Sequence, residues 1–281
     1  MKSAITRGMA SSGVLKPGFT SWLSDDLELE DAFRLLSSAG CESVEIAGNP
    51  ECLSQSESIG LSLRHHGLSV VAVSAGVPFA RDRSLSLHAE VESSRSRSVE
   101  YVKSCVDLAS QLGARIVYVC SIARAQRPHE ESLRLLSLSL RSCADYAEEA
   151  DVVLALEPFP TGEIPSAREA GNLIRKIGSK NLGLLLDTGH LVISREPLAG
   201  TAKEWKDILA HVHINNNDGV GDLHWPPQRG RLTKEDFRGL LVELKSGYGG
   251  SASVELRNPE HPASTVAASM KYVESLAPRG L

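Results

Sequence analysis

Short apolar segments alternate with longer amphipathic segments along the whole chain. The short segments are mostly β-branched residues and leucine, as in SVVAVSA and LGLLLD, which is typical of parallel strands covered on both faces. The segments between them carry apolar residues at helical spacing, as LELEDAFRLLSSAG does. The strand candidates are Gly18–Leu23, Ser43–Ala47, Ser69–Ala75, Arg115–Ser121, Asp151–Glu157, Leu182–Asp187, Ala210–Asn215 and Ser251–Leu256.

A helical segment follows each strand candidate, which is the pattern of a (β/α)8 barrel. Such a barrel usually has about 250 residues, and this chain has 281. We therefore predict an α/β fold with a single TIM barrel over residues 16–281, after a flexible tail at residues 1–15. An open doubly wound sheet is the rival, but no glycine-rich phosphate loop follows the first strand. The further helix candidates are Ser54–His66, Val91–Leu112, Glu130–Ala150, Ser166–Ile177, Lys203–Ile208, Lys234–Lys245 and Pro262–Ala277.

Composition and charge narrow the class of protein. Hydrophobic residues make up 42% and charged residues 23%, as in ordinary globular proteins. A net charge of −5 without charge runs predicts no nucleic-acid partner. The chain has neither an apolar stretch of about 18 residues nor a signal-peptide core, so we predict a cytoplasmic protein without membrane contact. Five scattered cysteines predict buried, unpaired thiols.

Acidic and histidine residues stand at the ends of the last four strand candidates: Glu157, Asp187, His213 and Glu255. In a barrel these ends form the active-site face. Clustered carboxylates repel one another unless a cation neutralises them. Three oxygen donors with one imidazole suit Mn²⁺, Mg²⁺ or Co²⁺, with Zn²⁺ possible. We predict a divalent cation, Mn²⁺ first, on these four ligands; the competing interpretation is separate salt bridges or helix caps.

Neighbouring residues are weaker candidates for contact with a substrate. Glu45 could reach a substrate hydroxyl or form a salt bridge, and Arg257 could orient Glu255 or bind substrate. Trp22 and Phe19 could form an apolar wall or belong to the core. His211 is predicted to point away from the site.

Two long connections follow strand ends, Gly76–Glu90 and Asn216–Leu232, and both are predicted to form lids or substrate walls. Arg81, Arg83 and His88 in the first connection could contact a phosphate or form a solvated loop.

The candidate ligands lie within motifs that carry a resemblance to a known family. LEPFP, LLDTGHL, HVHINNNDG, HWPP and VELRNP occur in this order, with VEIAG after the second strand. The D-x-x-H step from Asp187 to His190 and the H-x-H of His211 and His213 are the more specific parts. From about Pro17 to Ala277, the chain resembles the xylose isomerase-like barrels, in particular the sugar (phosphate) isomerase/epimerase group that includes ketose 3-epimerases.

The resemblance implies an isomerase in which Glu157 and Glu255 are both metal ligands and acid/base catalysts. His190 would contact a substrate oxygen, and His224 would line the pocket. The implied chemistry is proton transfer alpha to a carbonyl through a metal-stabilised enediolate. Return of the proton to the opposite face gives epimerisation, and transfer to the neighbouring carbon gives aldose–ketose isomerisation. A small carbohydrate is the implied partner, and homodimers or homotetramers are common among relatives.

The chain also departs from the family pattern. Asn216 stands where many relatives have an acidic residue, and PPQRGRL replaces a glycine-rich step. A lyase similar to keto-inositol dehydratases stays open, because it begins with the same proton abstraction. A DNA-repair nuclease similar to endonuclease IV is suggested by Asp222-Leu-His224, but VSAGVP and YVCSIA at the third and fourth strand tips lack the histidines of such a site. A non-catalytic accessory barrel is the last alternative.

Overall fold

The barrel predicted from the strand pattern is present. The computed structural model describes residues 17–24, 26–76, 84–120, 124–245 and 248–276. Its strands are all parallel and close into an eight-stranded barrel in chain order, with the last strand beside the first. A single (β/α)8 TIM barrel is therefore confirmed. The strands are β1 Gly18–Thr20, β2 Ser43–Ala47, β3 Ser69–Ser74, β4 Ile116–Cys120, β5 Val153–Glu157, β6 Leu182–Asp187, β7 Leu209–Ile214 and β8 Ser251–Val254.

Helices cover the outside of the barrel, and most begin and end within a few residues of the predicted bounds. Glycine in the left-handed conformation ends several of them, as Gly178 does at φ 69°. The helices of the described residues are α1 Leu29–Ser38, α2 Pro50–Ser54, α3 Ser56–His66, α4 Glu92–Leu112, α5 His129–Glu149, α6 Ala167–Ile177, α7 Thr188–Ser194, α8 Leu198–Glu204, α9 Lys234–Lys245 and α10 Pro262–Leu276.

The structure corrects the prediction in three helical segments. A separate short helix, α2, precedes α3, because Asn49 caps the backbone N–H of Cys52 and Pro50 occupies the first helical turn. The helix predicted at Lys203–Ile208 lies earlier, as α8, and starts directly after Pro197. The seven-residue α7 was not predicted, because it is too short to show a helical period.

Two apolar clusters build the core, and strands β3 to β7 contribute buried residues to both of them. On β5, Leu154 and Leu156 pack beneath the helices. Ala155, between them, belongs to a smaller cluster with Tyr118 and Leu185 inside the barrel. Because side chains alternate along a strand, the next inward position on β5 is Glu157, at the upper rim. The same alternation therefore fills the interior and delivers polar groups to its mouth.

Three further predictions concern the N-terminal residues, the cysteines and membrane contact. The predicted tail at residues 1–15 lies outside the described residues. All five cysteines are buried and none forms a disulfide. Among the described helices, none combines the length and apolar character that a membrane span requires.

Candidate functional site

Four side chains at the carboxyl ends of β5 to β8 converge on one point. Glu157 and Asp187 are the last residues of β5 and β6, His213 is the next to last of β7, and Glu255 directly follows β8. The parallel register places Asp187 opposite His213. One potential ligand atom from each of the four lies within 4.8 Å of the others. All four predicted ligands are thus brought together.

The imidazole of His213 organises this cluster. Its Nδ1 atom lies 3.2 Å from Oε1 of Glu157, 3.0 Å from Oε2 of Glu255 and 3.8 Å from Oδ2 of Asp187. The ring is fully buried and meets the ring of Tyr118 edge-on, with 5.0 Å between centroids. Nδ1 is therefore the nitrogen that faces the three carboxylates.

Below this cluster, Glu45 and His211 occupy the barrel interior. Nε2 of His213 lies 3.3 Å from Oε2 of Glu45, and Nε2 of His211 lies 2.6 Å from Oε1 of the same carboxylate. The prediction that His211 points away was wrong, because residues two apart on a strand share a face. Glu45 is fully buried, and both of its oxygens face imidazoles. This position gives the predicted contact between Glu45 and a substrate hydroxyl no support.

Asp187 is held in place by two donors from the protein. Its Oδ1 accepts a hydrogen bond from the backbone N–H of His190 at 2.8 Å, and this bond caps the N-terminus of α7. Its Oδ2 accepts from Nδ2 of Asn215 at 2.5 Å. The backbone of Asn215 is in turn bound by the Thr188 hydroxyl. Sequence reasoning missed Asn215, although it lies two residues after His213 and therefore on the same face of the chain.

The two histidines predicted to contact substrate lie beside the cluster. Nδ1 of His190 is 3.7 Å from Oε1 of Glu157, and the ring of Phe159 packs edge-on against it. Nε2 of His224 is 3.2 Å from Oε2 of Glu255. Both histidines are buried. His224 adopts φ 46°, a left-handed conformation that is uncommon for a side chain of this kind.

Asp222 lies close to both of these histidines and to Arg257. No role in a sugar-binding site was predicted from the sequence for Asp222. Its Oδ1 lies 3.3 Å from Nε2 of His190 and 3.1 Å from Nδ1 of His224. Its Oδ2 lies 3.3 Å from a guanidinium nitrogen of Arg257, which also donates to the backbone carbonyl of Asp222. Arg257 is about half exposed, and its two contacts with Asp222 brace the loop after β7. Among the described hydrogen bonds and ion pairs, none joins Arg257 to Glu255.

Of the remaining candidates for contact with a substrate, only Trp22 contacts a residue of the cluster in the described structure. Trp22 Nε1 donates to Oε1 of Glu255 at 3.3 Å, whereas Phe19 is buried in the core. The side chain of Asn216 holds its own loop, since Oδ1 accepts from the backbone N–H of Leu232 at 2.9 Å. His88 is buried and its carbonyl accepts from Arg127. The predicted phosphate contacts Arg81 and Arg83 lie outside the described residues.

The buried charges affect one another strongly. Burial raises the pKa of the Glu157 carboxyl, which the hydrogen bond with His213 only partly offsets. Burial has the same tendency at Glu255, but the imidazoles of His224 and His213 outweigh it and hold the pKa of Glu255 well below its usual value. Burial opposes protonation of His190, yet Asp187, Asp222 and Glu157 together raise the pKa of His190 to about 9. Burial also disfavours the charged form of Glu45, but His213 and His211 lower the pKa of that carboxyl well below its usual value.

The donor set fits a divalent cation. Three carboxylates and one imidazole nitrogen meet in a buried space, where the carboxylates repel one another unless positive charge is supplied. Oxygen donors with a single nitrogen suit Mn²⁺, Mg²⁺ or Co²⁺ better than a metal that prefers thiolates. The hydrogen bonds that Asp187 accepts orient this ligand from behind, as is usual in metal sites. These residues could therefore hold such an ion.

Proteins with a similar sequence include named epimerases. The chain is 23% identical over 250 residues to fructoselysine 3-epimerase of Shigella flexneri, covering 86% of this chain and 90% of that protein. It is 30% identical over 127 residues to D-psicose 3-epimerase of Enterocloster bolteae, which covers 42% of each chain.

Solved structures and a family profile agree on the fold. D-psicose 3-epimerase from Clostridium cellulolyticum superposes with a TM-score of 0.80 at 16% identity, covering 94% of this chain and 99% of that one. The profile of the xylose isomerase-like TIM barrel family matches residues 33–276. The resemblance noted in the sequence is thereby confirmed. The chain belongs to the xylose isomerase-like TIM barrel family.

Proposed function

We propose that this protein is a divalent-metal-dependent sugar epimerase or isomerase that transfers a proton alpha to a carbonyl. One observation carries the proposal: Nδ1 of His213 and the carboxylates of Glu157, Asp187 and Glu255 face a common point at the mouth of the barrel. A divalent cation bound there would supply positive charge to stabilise negative charge that develops on the substrate oxygens. Mn²⁺ is our first candidate. The named epimerases among the relatives support a carbohydrate as the substrate.

Glu157 and Glu255 are suited to acid/base work because their environments differ. Burial favours the protonated form of Glu157, whereas two imidazoles favour the ionised form of Glu255. Opposite environments of two carboxyl groups are a usual mark of an acid/base pair. The two residues also reach the site from strands separated by β6 and β7, so they can approach a substrate from different sides. This arrangement suits removal of a proton from one face and its return to the other.

The surrounding residues would bind and orient the sugar. His190 and His224 present imidazoles beside Glu157 and Glu255, within reach of hydroxyl or carbonyl oxygens of a substrate held at the cluster. Trp22 and Phe159 supply aromatic surface next to the same groups. We infer that the histidines donate hydrogen bonds to substrate oxygens, while the aromatic rings pack against the apolar face of a sugar.

Exchange of the alpha proton with D₂O tests the proposal before any product is known. Protein stripped with a chelator and reloaded with Mn²⁺ is incubated with free ketoses, ketose phosphates, hydroxypyruvate, keto-inositols and fructoselysine, and deuterium uptake is read by mass spectrometry. We expect metal-dependent exchange with at least one class. A product that absorbs ultraviolet light as an enone would instead indicate the dehydratase alternative.

Glu255→Gln provides the residue-level test. It should lower the exchange rate by about a hundredfold to ten-thousandfold, the usual contribution of a general acid or base. Glu260→Gln, an exposed carboxylate beyond β8, is the matched control and should exchange at the wild-type rate. Metal-loaded protein that exchanges no proton with any of these classes would contradict the proposal.

A further inference from the structure

The pair formed by Glu45 and His211 has no part in the chemistry described so far, yet it lies directly behind the only imidazole of the cluster. Glu45 is on β2 and His211 on β7, so their contact crosses the barrel interior. Both side chains are fully buried. Such a pair inside a barrel is costly unless its polar atoms are all bonded, which raises the question of what it stabilises.

The hydrogen bonds of Glu45 indicate that the pair stabilises one tautomer of His213. A neutral imidazole has one nitrogen that carries a proton and one that carries a lone pair. At His213, Nε2 lies 3.3 Å from a carboxylate oxygen of Glu45, and an ionised carboxylate can only accept. Nδ1 of His213 faces the carboxylates of Glu157, Asp187 and Glu255. With a cation bound between these carboxylates, Nδ1 would supply its lone pair to the ion, and the proton would lie on Nε2, where Glu45 accepts it.

His211 fixes the carboxylate that makes this choice. Its Nε2 lies 2.6 Å from the other oxygen of Glu45, and its Nδ1 lies 2.8 Å from the hydroxyl of Ser251. Ser251 can donate to Nδ1, so that Nε2 of His211 carries the proton and donates to Glu45. The carboxylate is thereby held between two N–H donors and cannot rotate away from His213.

Resting on the proposed function, we propose that Glu45 and His211 are positioning residues that hold His213 in the tautomer with its lone pair on Nδ1 and so set the affinity of the site for its cation. Glu45 then acts through His213 and makes no contact with substrate. A carboxylate behind a ligand histidine commonly contributes about tenfold to a hundredfold in metal affinity. The same range is expected here.

Metal affinity measured by calorimetry on chelator-stripped protein tests this assignment. Glu45→Gln keeps the size of the side chain but places an NH₂ group against one of the two imidazoles. It should bind Mn²⁺ about ten to a hundred times more weakly than wild type. Thr20→Val is the matched control: Thr20 is equally buried, its hydroxyl has no hydrogen-bond partner among the described residues, and the change preserves its shape. This control should bind Mn²⁺ like wild type.

A spectroscopic readout on the wild-type protein decides the matter even if Glu45→Gln does not fold. Nitrogen-15 spectra of histidine-labelled protein, with Zn²⁺ as a diamagnetic probe, should show His213 protonated at Nε2 and bound to the metal through Nδ1. A Glu45→Gln variant with unchanged Mn²⁺ affinity would overturn the inference and leave the proposed function standing. Wild-type protein with its proton on Nδ1 of His213 would overturn the inference and would also remove His213 from the proposed ligands. Wild-type protein that binds no cation would overturn both.

Discussion

Nε2 of His190 lies 3.3 Å from Oδ1 of Asp222, so a residue of the long loop after β7 contacts a histidine in the first turn of α7. The same oxygen approaches His224, and the other oxygen pairs with Arg257. The loop is thus more than a cover over the barrel mouth. It places one carboxylate oxygen within 3.3 Å of both histidines proposed to bind substrate.

Asp222→Asn tests this role. The amide can still accept one hydrogen bond, but it carries no charge and cannot serve two imidazoles equally. Hydrogen bonds to charged groups are worth about 1.5–3 kcal/mol, so we expect kcat/KM to fall by roughly tenfold to a hundredfold. Mn²⁺ content should stay at the wild-type level. Steady-state kinetics and metal analysis together make the measurement.

Asp218→Asn is the control for that variant, because Asp218 is exposed on the same loop and accepts only from backbone N–H groups in its described contacts. It should retain kcat/KM. Equal losses of kcat/KM in the two variants would show that any substitution in this loop perturbs its conformation. Such a result would count against a specific role for Asp222.

Gly189 offers a test of the support behind Asp187. A Cβ atom at this position would collide with Oδ1 of Asn215, the residue that donates to Asp187. Gly189→Ala should therefore displace Asn215 and weaken Mn²⁺ binding by about tenfold or more, as loss of a supporting hydrogen bond usually does. Titration calorimetry measures the change. Gly60→Ala lies in α3 with no clash and should bind the ion normally; a Gly189→Ala affinity equal to that of Gly60→Ala would refute the expectation.

Glu163 gives a prediction about pH. It is buried in the loop after β5, accepts from the backbone N–H of Ala125 at 2.9 Å and lies 2.8 Å from Nδ1 of His129. Burial alone would raise the pKa of Glu163, but the N–H of Ala125 and His129 outweigh it and lower that pKa. A folded pKa below the unfolded value of about 4.3 stabilises the fold above that pH. This contribution is lost as pH falls through the folded pKa.

Glu163→Gln should accordingly lower Tm by a few degrees at pH 7, and the difference from wild type should shrink toward pH 3. Scanning calorimetry at several pH values is the measurement. Glu169→Gln is the comparison, because Glu169 lies 3.5 Å from the same histidine but its side chain is 42% exposed, and ion pairs that reach solvent contribute little. A difference in Tm that is the same at pH 3 and pH 7 would exclude the proposed origin.

The fold could be predicted from the sequence because its signal is repeated and local. The run LGLLLD gives β6 with its observed bounds, since a strand buried on both faces leaves little choice of start and end. The ligand cluster follows from the same logic. Glu157 and Asp187 end such runs, and parallel strands in a barrel bring their carboxyl ends to one rim.

What escaped prediction depends on contacts that cross loops or the barrel interior. Asp222 lies in a segment with no hydrophobic period, so nothing in the sequence places it against His190. The pairing of Glu45 with His211 joins residues 166 positions apart. Of this pairing, only the inward direction of His211 could have been predicted from the sequence, because His211 and His213 are two residues apart on a strand and therefore share a face.

Glu157, Asp187, His213 and Glu255 are proposed to bind one cation together. Anomalous diffraction at the manganese edge, from crystals of the Mn²⁺-loaded protein, tests it most directly. We expect a single strong peak between these four side chains, with ligand atoms at about 2.0–2.3 Å. A map with no peak there, or with manganese bound only elsewhere, would contradict it.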